Sequence, residues 1–318
     1  MSLLTDVHDR IEQAREAPGC ASELHWTSFA EFFRSRLYDP RLVTRNFLTY
    51  CDDDRNLRRT YSYAEFGTIV ERMAEMFHAK FGLTRGDRIA TVMFNHALTA
   101  LIYFAAWTLG VAVVPINVEE TPEKERDILE HSEASVALCW QDVYEELKAL
   151  QSMLPALREV VALGDGGILD GKETRGKSRK NSHAVGARFA PGTSRLDDPA
   201  LIIYTSGTTG PPKGVILTVA NLLIDADAIA DRHGFGLTDR LMCVLPVHHV
   251  NGIVVTLMTP FYCKGSVVLN RKFKTGSFWR RLHEEQVTSV SVVPTLLEFL
   301  LDADEDLNGN GQLDAGSQ

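Results

Sequence analysis

A chain of 318 residues, 45% hydrophobic and 24% charged, is long enough for two domains or one large α/β unit with a sizeable core. With 33 Lys+Arg against 42 Asp+Glu the formal net charge is -9, which argues against a general nucleic-acid binder. The five cysteines, Cys20, Cys51, Cys139, Cys243 and Cys263, are odd in number and form no Cys-x-x-Cys pair, so they are read as reduced packing residues of a cytoplasmic protein and not as a disulfide frame or zinc site.

The N-terminus lacks the long apolar core of a signal peptide, so export is not expected. Residues 63–81 follow a helical apolar period, and residues 88–93 read as a short β-branched strand. The stretch 97–116 carries no charge and has nearly the length of a membrane span, but Gly110 and Pro115 divide it. A helix over 97–109 stopped by Gly110, then a buried strand over 111–114, accounts for the same residues without a membrane. A helix over 121–131 and strands over 136–138 and 160–163 continue the alternation.

Residues 164–198 break it with glycines and with Lys172, Arg175, Lys177, Arg179 and Lys180, and are predicted to form a mobile connector. The alternation resumes with strands over 201–204, 241–245, 267–269 and 290–293. Between the first two lies a helix capped by Thr218, with an apolar face of Val219, Leu222, Leu223, Ala226, Ile229 and Ala230, ending before Gly234. The expected units are 1–163, the connector 164–198, a second α/β part 199–301 and a polar tail 302–318. Such alternation predicts an α/β fold of stacked sheets flanked by helices.

Chemistry concentrates in two places. In Leu201-Ile-Ile-Tyr-Thr-Ser-Gly-Thr-Thr-Gly-Pro-Pro-Lys-Gly-Val215 an apolar strand empties into a loop in which Gly207 and Gly210 free the backbone N–H groups to point inward. Thr205, Ser206, Thr208 and Thr209 add hydroxyls and Lys213 a cation, which together suit phosphate oxygens. The spacing is not that of a Walker loop: Pro212 stands where its second glycine belongs and Gly214 where Ser or Thr should be. The second place is Leu245-Pro-Val-His-His-Val-Asn-Gly252, where a histidine pair follows a buried strand. A metal pair is disfavoured because no third ligand stands near. The condensation-enzyme pattern is excluded because Ile253 replaces its aspartate.

The loop from Tyr204 to Gly214 resembles the phosphate-loop motif of the adenylate-forming superfamily, which holds acyl- and aryl-CoA ligases, nonribosomal adenylation domains and luciferases. Arg85-Gly-Asp-Arg-Ile89, Asn95, Gly110, Pro115-Ile-Asn117, the histidine segment and Val293-Pro-Thr-Leu296 are similar to further family segments in the family's order, covering about residues 45–300.

The resemblance implies an incomplete N-terminal domain and, through Thr208 and the Pro211-Pro212 pair, the CoA-ligase branch. It implies that residues 205–210 and Lys213 meet ATP phosphates, and that His248, His249, Asn251 and Gly252 belong to the acyl pocket, with His249 near the substrate carboxylate. The implied partners are a small carboxylic acid, ATP and CoA. Magnesium ligands, the ribose-binding aspartate and the main catalytic groups, lysine included, are expected beyond Gln318, so the chain alone should be incompetent.

Val219 stands where CoA ligases commonly have histidine, which loosens inference about the acid. Transfer to a carrier protein and a truncated, non-catalytic nucleotide-binding or interaction protein stay open as alternatives. So do a role for the basic stretch in holding CoA phosphates and the oligomeric state. The tail Asp306-Leu-Asn-Gly-Asn-Gly-Gln-Leu-Asp314 matches the first part of an EF-hand loop, but Ser317 stands in place of the bidentate glutamate, so weak calcium binding at most is expected.

Overall fold

The computed structural model describes residues 24–164, 194–205 and 212–308, with side chains to 303. The serine, threonine and glycine core of the phosphate loop (206–210), most of the predicted connector, Cys20 and the end of the tail fall outside the described residues.

Eleven described strands form two sheets. The first comprises β1 (Asn46–Asp52), β2 (Leu57–Ser62), β9 (Arg240–Cys243), β10 (Ser266–Asn270) and β11 (Ser289–Ser291), in the order β11-β9-β10-β1-β2. The second comprises β3 (Arg88–Val92), β4 (Ala112–Ile116), β5 (Val136–Trp140), β6 (Glu159–Leu163), β7 (Pro199–Thr205) and β8 (Lys213–Thr218), in the order β6-β5-β3-β4-β7-β8. All pairings are parallel except β1 with β2 and β7 with β8, which put an antiparallel strand at one edge of each sheet. Strands β1, β2 and β8 extend the sequence reading, in which only the other eight strands were expected.

Helices α1 (Phe29–Leu37), α2 (Tyr63–Phe81), α3 (Ala97–Leu109) and α6 (Val219–His233) contribute to a core shared by both sheets. Strand periodicity divides the packing: Val267 and Leu269 of β10 join this shared core, whereas Val268 between them joins the layer under α7 (Thr275–Glu284) and α8 (Pro294–Asn308). Ile89 of β3 likewise faces the shared core and Ala90 the opposite layer, with α4 (Pro122–Ser132) and α5 (Tyr144–Gln151).

Local chemistry sets the helix ends. Ser62 and Glu65 form a reciprocal capping box at the start of α2, and Thr218 with Asn221 does the same for α6. Gly82, Gly110 and Gly234 close α2, α3 and α6 at φ of 65°, 74° and 67°, the left-handed region that glycine enters without a steric cost. Every residue of α3 is buried, which explains its lack of charge. Among the described residues no helix is long and apolar enough to cross a membrane.

Helix α4 carries an acid into its buried face. Glu125 is 2% exposed, its Oε2 has no hydrogen-bond partner, and burial together with Glu146 and Glu120 pushes its pKa up to about 7. The folded chain therefore keeps the proton at pH values where the unfolded chain has released it, so stability falls as pH rises from the ordinary carboxylate range towards 7. Urea unfolding at pH 5 and pH 8 is expected to show the native chain losing about 1–3 kcal/mol more than Glu125→Gln across that interval. Parallel pH profiles would remove Glu125 as the cause.

Candidate functional site

Four parallel strands end at one place. The residues just past β3 (Met93 to Asn95), β4 (Asn117 to Glu119), β9 (Val244 to Pro246, with His248 and His249) and β10 (Arg271 to Phe273) wall an open cleft of about 420 Å³. The C-terminal edge of a parallel sheet is where α/β proteins gather ligand groups. Here the two sheets supply two strand ends each.

Asn95 ties these ends together. Its amide nitrogen donates to the carbonyls of Leu245 (2.9 Å) and Asn270 (3.1 Å), and its amide oxygen accepts from the N–H of Val247 (2.8 Å). The hydroxyl of Tyr103 on α3 donates to the carbonyl of Val247 at 2.9 Å. The backbone immediately before the histidine pair is therefore held by side chains from the loop after β3 and from α3.

The rings of His248 and His249 lie 4.3 Å apart. Burial, then the neighbouring His249, brings the pKa of His248 down to about 4, and burial also lowers that of His249. Both imidazoles are therefore neutral hydrogen-bonding groups near neutral pH. Asn251 opens a π-helix, Asn251–Met258, and its side-chain oxygen is buried without a partner. A Cβ on Gly252 would lie 2.3 Å from the Pro246 carbonyl oxygen, so glycine is what lets the π-helix start beneath the Pro246 turn. Neither Asn251 nor Gly252 is among the residues lining the cleft; Gly252 is buried behind the histidine segment, against Pro246 and Val247.

Beside this cleft, with Val250 in its wall, is a second cavity of about 550 Å³. Ile203 and Thr205 of β7, Val215 and Leu217 of β8, and Leu222 and Asp225 of α6 line it. Strands β7 and β8 are antiparallel neighbours whose last described pair is Thr205 with Lys213. Because β7 runs parallel to β4, with Leu201 opposite Val113, Thr205 and Lys213 stand at the same edge of the sheet as the cleft. Thr205 and Lys213 are exposed, and Lys213 forms no ion pair among the described residues. A Cβ on Gly214 would meet Ile202 at 2.9 Å and the Tyr204 ring at 3.1 Å, and the Tyr204 hydroxyl shares a 2.7 Å hydrogen bond with His131 Nδ1.

The four described cysteines are free, and burial raises their pKa values, so none is an activated nucleophile. Among the described residues no three His, Cys, Asp or Glu side chains are grouped to hold a metal ion.

A family model described as "AMP-binding enzyme" matches residues 44–316. The chain belongs to that family. This AMP-binding family member is 32% identical over 243 residues to a sulfoacetate–CoA ligase of Cupriavidus necator, covering 75% of the chain and 44% of the relative. It is 27% identical over 246 residues to a crotonobetaine/carnitine–CoA ligase of Salmonella paratyphi B, covering 76% and 47%. The chain thus spans less than half the length of either relative. Among solved structures, ATP-bound MatB from Rhodopseudomonas palustris superimposes with a TM-score of 0.72 at 25% identity, over 86% of this chain and 50% of that one. The two stacked sheets match the N-terminal part of adenylate-forming enzymes, and these relatives belong to the CoA-ligase branch of that superfamily.

The sequence reading named the phosphate loop and the histidine segment as separate motifs, and the strand order brings Thr205 and Lys213 of the first to the edge where the second lies. It quoted Asn95 and Asn117 only within the resemblance and did not single out Phe94 or Arg271. The available signal was position: each lies within a few residues of the end of a β-branched strand.

Proposed function

We propose that the chain is the N-terminal part of an ATP-dependent acid–CoA ligase that activates its acid as an acyl-adenylate, with the adenosine-holding and magnesium-binding groups lying outside these residues. The observation that carries this reading is the joint position of Thr205, Lys213 and the histidine segment at one sheet edge, with Thr205 and Val250 walling the same cavity.

ATP supplies the α-phosphorus that an acid carboxylate attacks, with pyrophosphate leaving. Lys213, with the hydroxyls and N–H groups of residues 205–210, fits the β- and γ-phosphate oxygens, because an exposed, unpaired ammonium at the start of β8 can meet charge that grows on the leaving group. His249, neutral and beside the cleft, orients the carboxylate by hydrogen bonding without trapping it in a strong ion pair. The apolar cavity under β7 and β8 receives the body of the acid. Among the described residues no grouped carboxylates would hold magnesium. The relatives' names favour CoA over a carrier protein as acceptor, and a cytoplasmic location accords with free thiols.

The test is acid-dependent ATP–pyrophosphate exchange, run on the 318-residue chain by itself and on the chain continued to the length of its relatives. Sulfoacetate, carnitine, fatty, aryl and amino acids form the panel. Exchange is expected only from the longer form, since orienting two reactants contributes roughly 7–11 kcal/mol of barrier lowering and phosphate contacts alone leave both free to turn. Exchange by the short chain near the longer form's rate would place the catalytic groups within these residues. Silence of the longer form with every acid would leave the nucleotide-binding, non-catalytic reading.

A further inference from the structure

We propose that Arg271 is an oxyanion-binding residue of the cleft, holding a sulfonate, carboxylate or phosphate group of a ligand that lies against His248 and His249. The proposal rests on the ligase reading only for the identity of that ligand.

Arg271 follows the last residue of β10, and its backbone is fixed: its N–H donates to the Cys51 carbonyl at 2.9 Å, and the preceding Asn270 is tied to Asn95. Its guanidinium is seated on rings, 4.0 Å from the centroid of Phe94 and 5.9 Å from that of Trp140. In an acidic chain most such groups find a carboxylate. Arg58 takes Glu285, Arg85 takes Asp198 and Arg281 takes Asp53, whereas no ion pair or side-chain hydrogen bond engages the Arg271 guanidinium among the described residues. Two other charged side chains line the cleft. Lys272 is already paired with Asp54 at 2.8 Å, and Glu119 is exposed.

A guanidinium seated over an aromatic ring keeps its N–H groups for a partner and loses little freedom when one arrives. Its fork matches two oxygens of a planar or tetrahedral oxyanion. The neutral histidines and Asn117 on the other walls add hydrogen bonds without competing charge. Two ligands of the proposed reaction could bring such a group: an acid with a second anionic group, or the phosphates of CoA.

Calorimetry on the chain decides between them with two matched pairs, sulfoacetate against propionate and CoA against pantetheine. In one pair the member with the additional anionic group is expected to bind at least about tenfold more tightly, an advantage that Arg271→Gln abolishes and Arg271→Lys retains in part. The first pair would assign Arg271 to the acid, the second to CoA. The proposal is overturned if the native chain shows no advantage in either pair, or if Arg271→Gln leaves the advantage intact. It is equally overturned if the variant weakens propionate or pantetheine as much as their partners, which marks a packing defect. Acid-dependent ATP–pyrophosphate exchange by the longer form keeps the two readings apart: its absence with the Arg271 advantage intact defeats the ligase reading alone, and exchange without any Arg271 advantage defeats only this one.

Discussion

Replacing Lys213 and Thr208 together by alanine is expected to slow acid-dependent exchange at least about a hundredfold in the form of the protein that supports it. Both groups are assigned to charge developing on pyrophosphate, and one preorganised donor of this kind contributes roughly 2.7–4 kcal/mol to barrier lowering. Stability should hardly change. Lys213 is exposed and forms no ion pair among the described residues, and surface substitutions of that kind usually move stability by no more than about 0.5 kcal/mol. The two measurements together separate chemistry from folding. A double variant with the native exchange rate would show that Lys213 and Thr208 do not meet the phosphates.

The converse pattern is expected of Gly252→Ala. The added methyl would lie 2.3 Å from the Pro246 carbonyl oxygen, 2.8 Å from its carbon and 2.9 Å from Val247 Cα. All three are backbone atoms, and Asn95 and Tyr103 hold that backbone, so it has no cheap route away. A loss of about 2–4 kcal/mol in urea unfolding is the expected cost of such overpacking. Native stability in the alanine variant would mean that the turn is softer than its hydrogen bonds indicate. The sequence reading placed Gly252 in the acyl pocket; its position behind the histidine segment suggests a supporting role there.

Helix punctuation was legible in the sequence because capping is local. Ser62 with Glu65, Thr218 with Asn221, and a glycine at each C-terminus act within one turn of chain, and 63–81, 97–109 and the helix after Thr218 were read with the ends they have. Strands β1, β2 and β8 were harder to read. β2 carries Arg58 and Arg59 on a sheet edge, β8 begins with Lys213-Gly214, and β1 is buried on both faces and shows no alternation. Partners were not legible at all: Leu48 pairs with Val267, and nothing local to either announces the other.

The same division holds for the site. The loop after β7 is contiguous, so its residue types could be read as a phosphate cradle in one glance. The cleft is assembled from four strand ends, so Asn95 reads as an ordinary asparagine until Leu245, Val247 and Asn270 arrive around it. Arg271 reads as one basic residue among 33 until the rings beneath it and the missing carboxylate are seen.

The order of strands also bears on how the chain is made. Strands β3 to β8 are contiguous in sequence and complete one sheet among themselves, while the other sheet receives β1 and β2 before them and β9 to β11 after. A chain emerging from the ribosome can therefore close the six-stranded sheet while β1, whose last six residues are all buried in the finished protein, still lacks the neighbour that covers its other edge. Long-range parallel pairing of this kind is slow to form, and it leaves an apolar strand unprotected until residues 266–270 have been synthesised. On this topology the nested sheet is free to form first, and the joining of β1 to β10 is expected to be the step at which folding and aggregation compete.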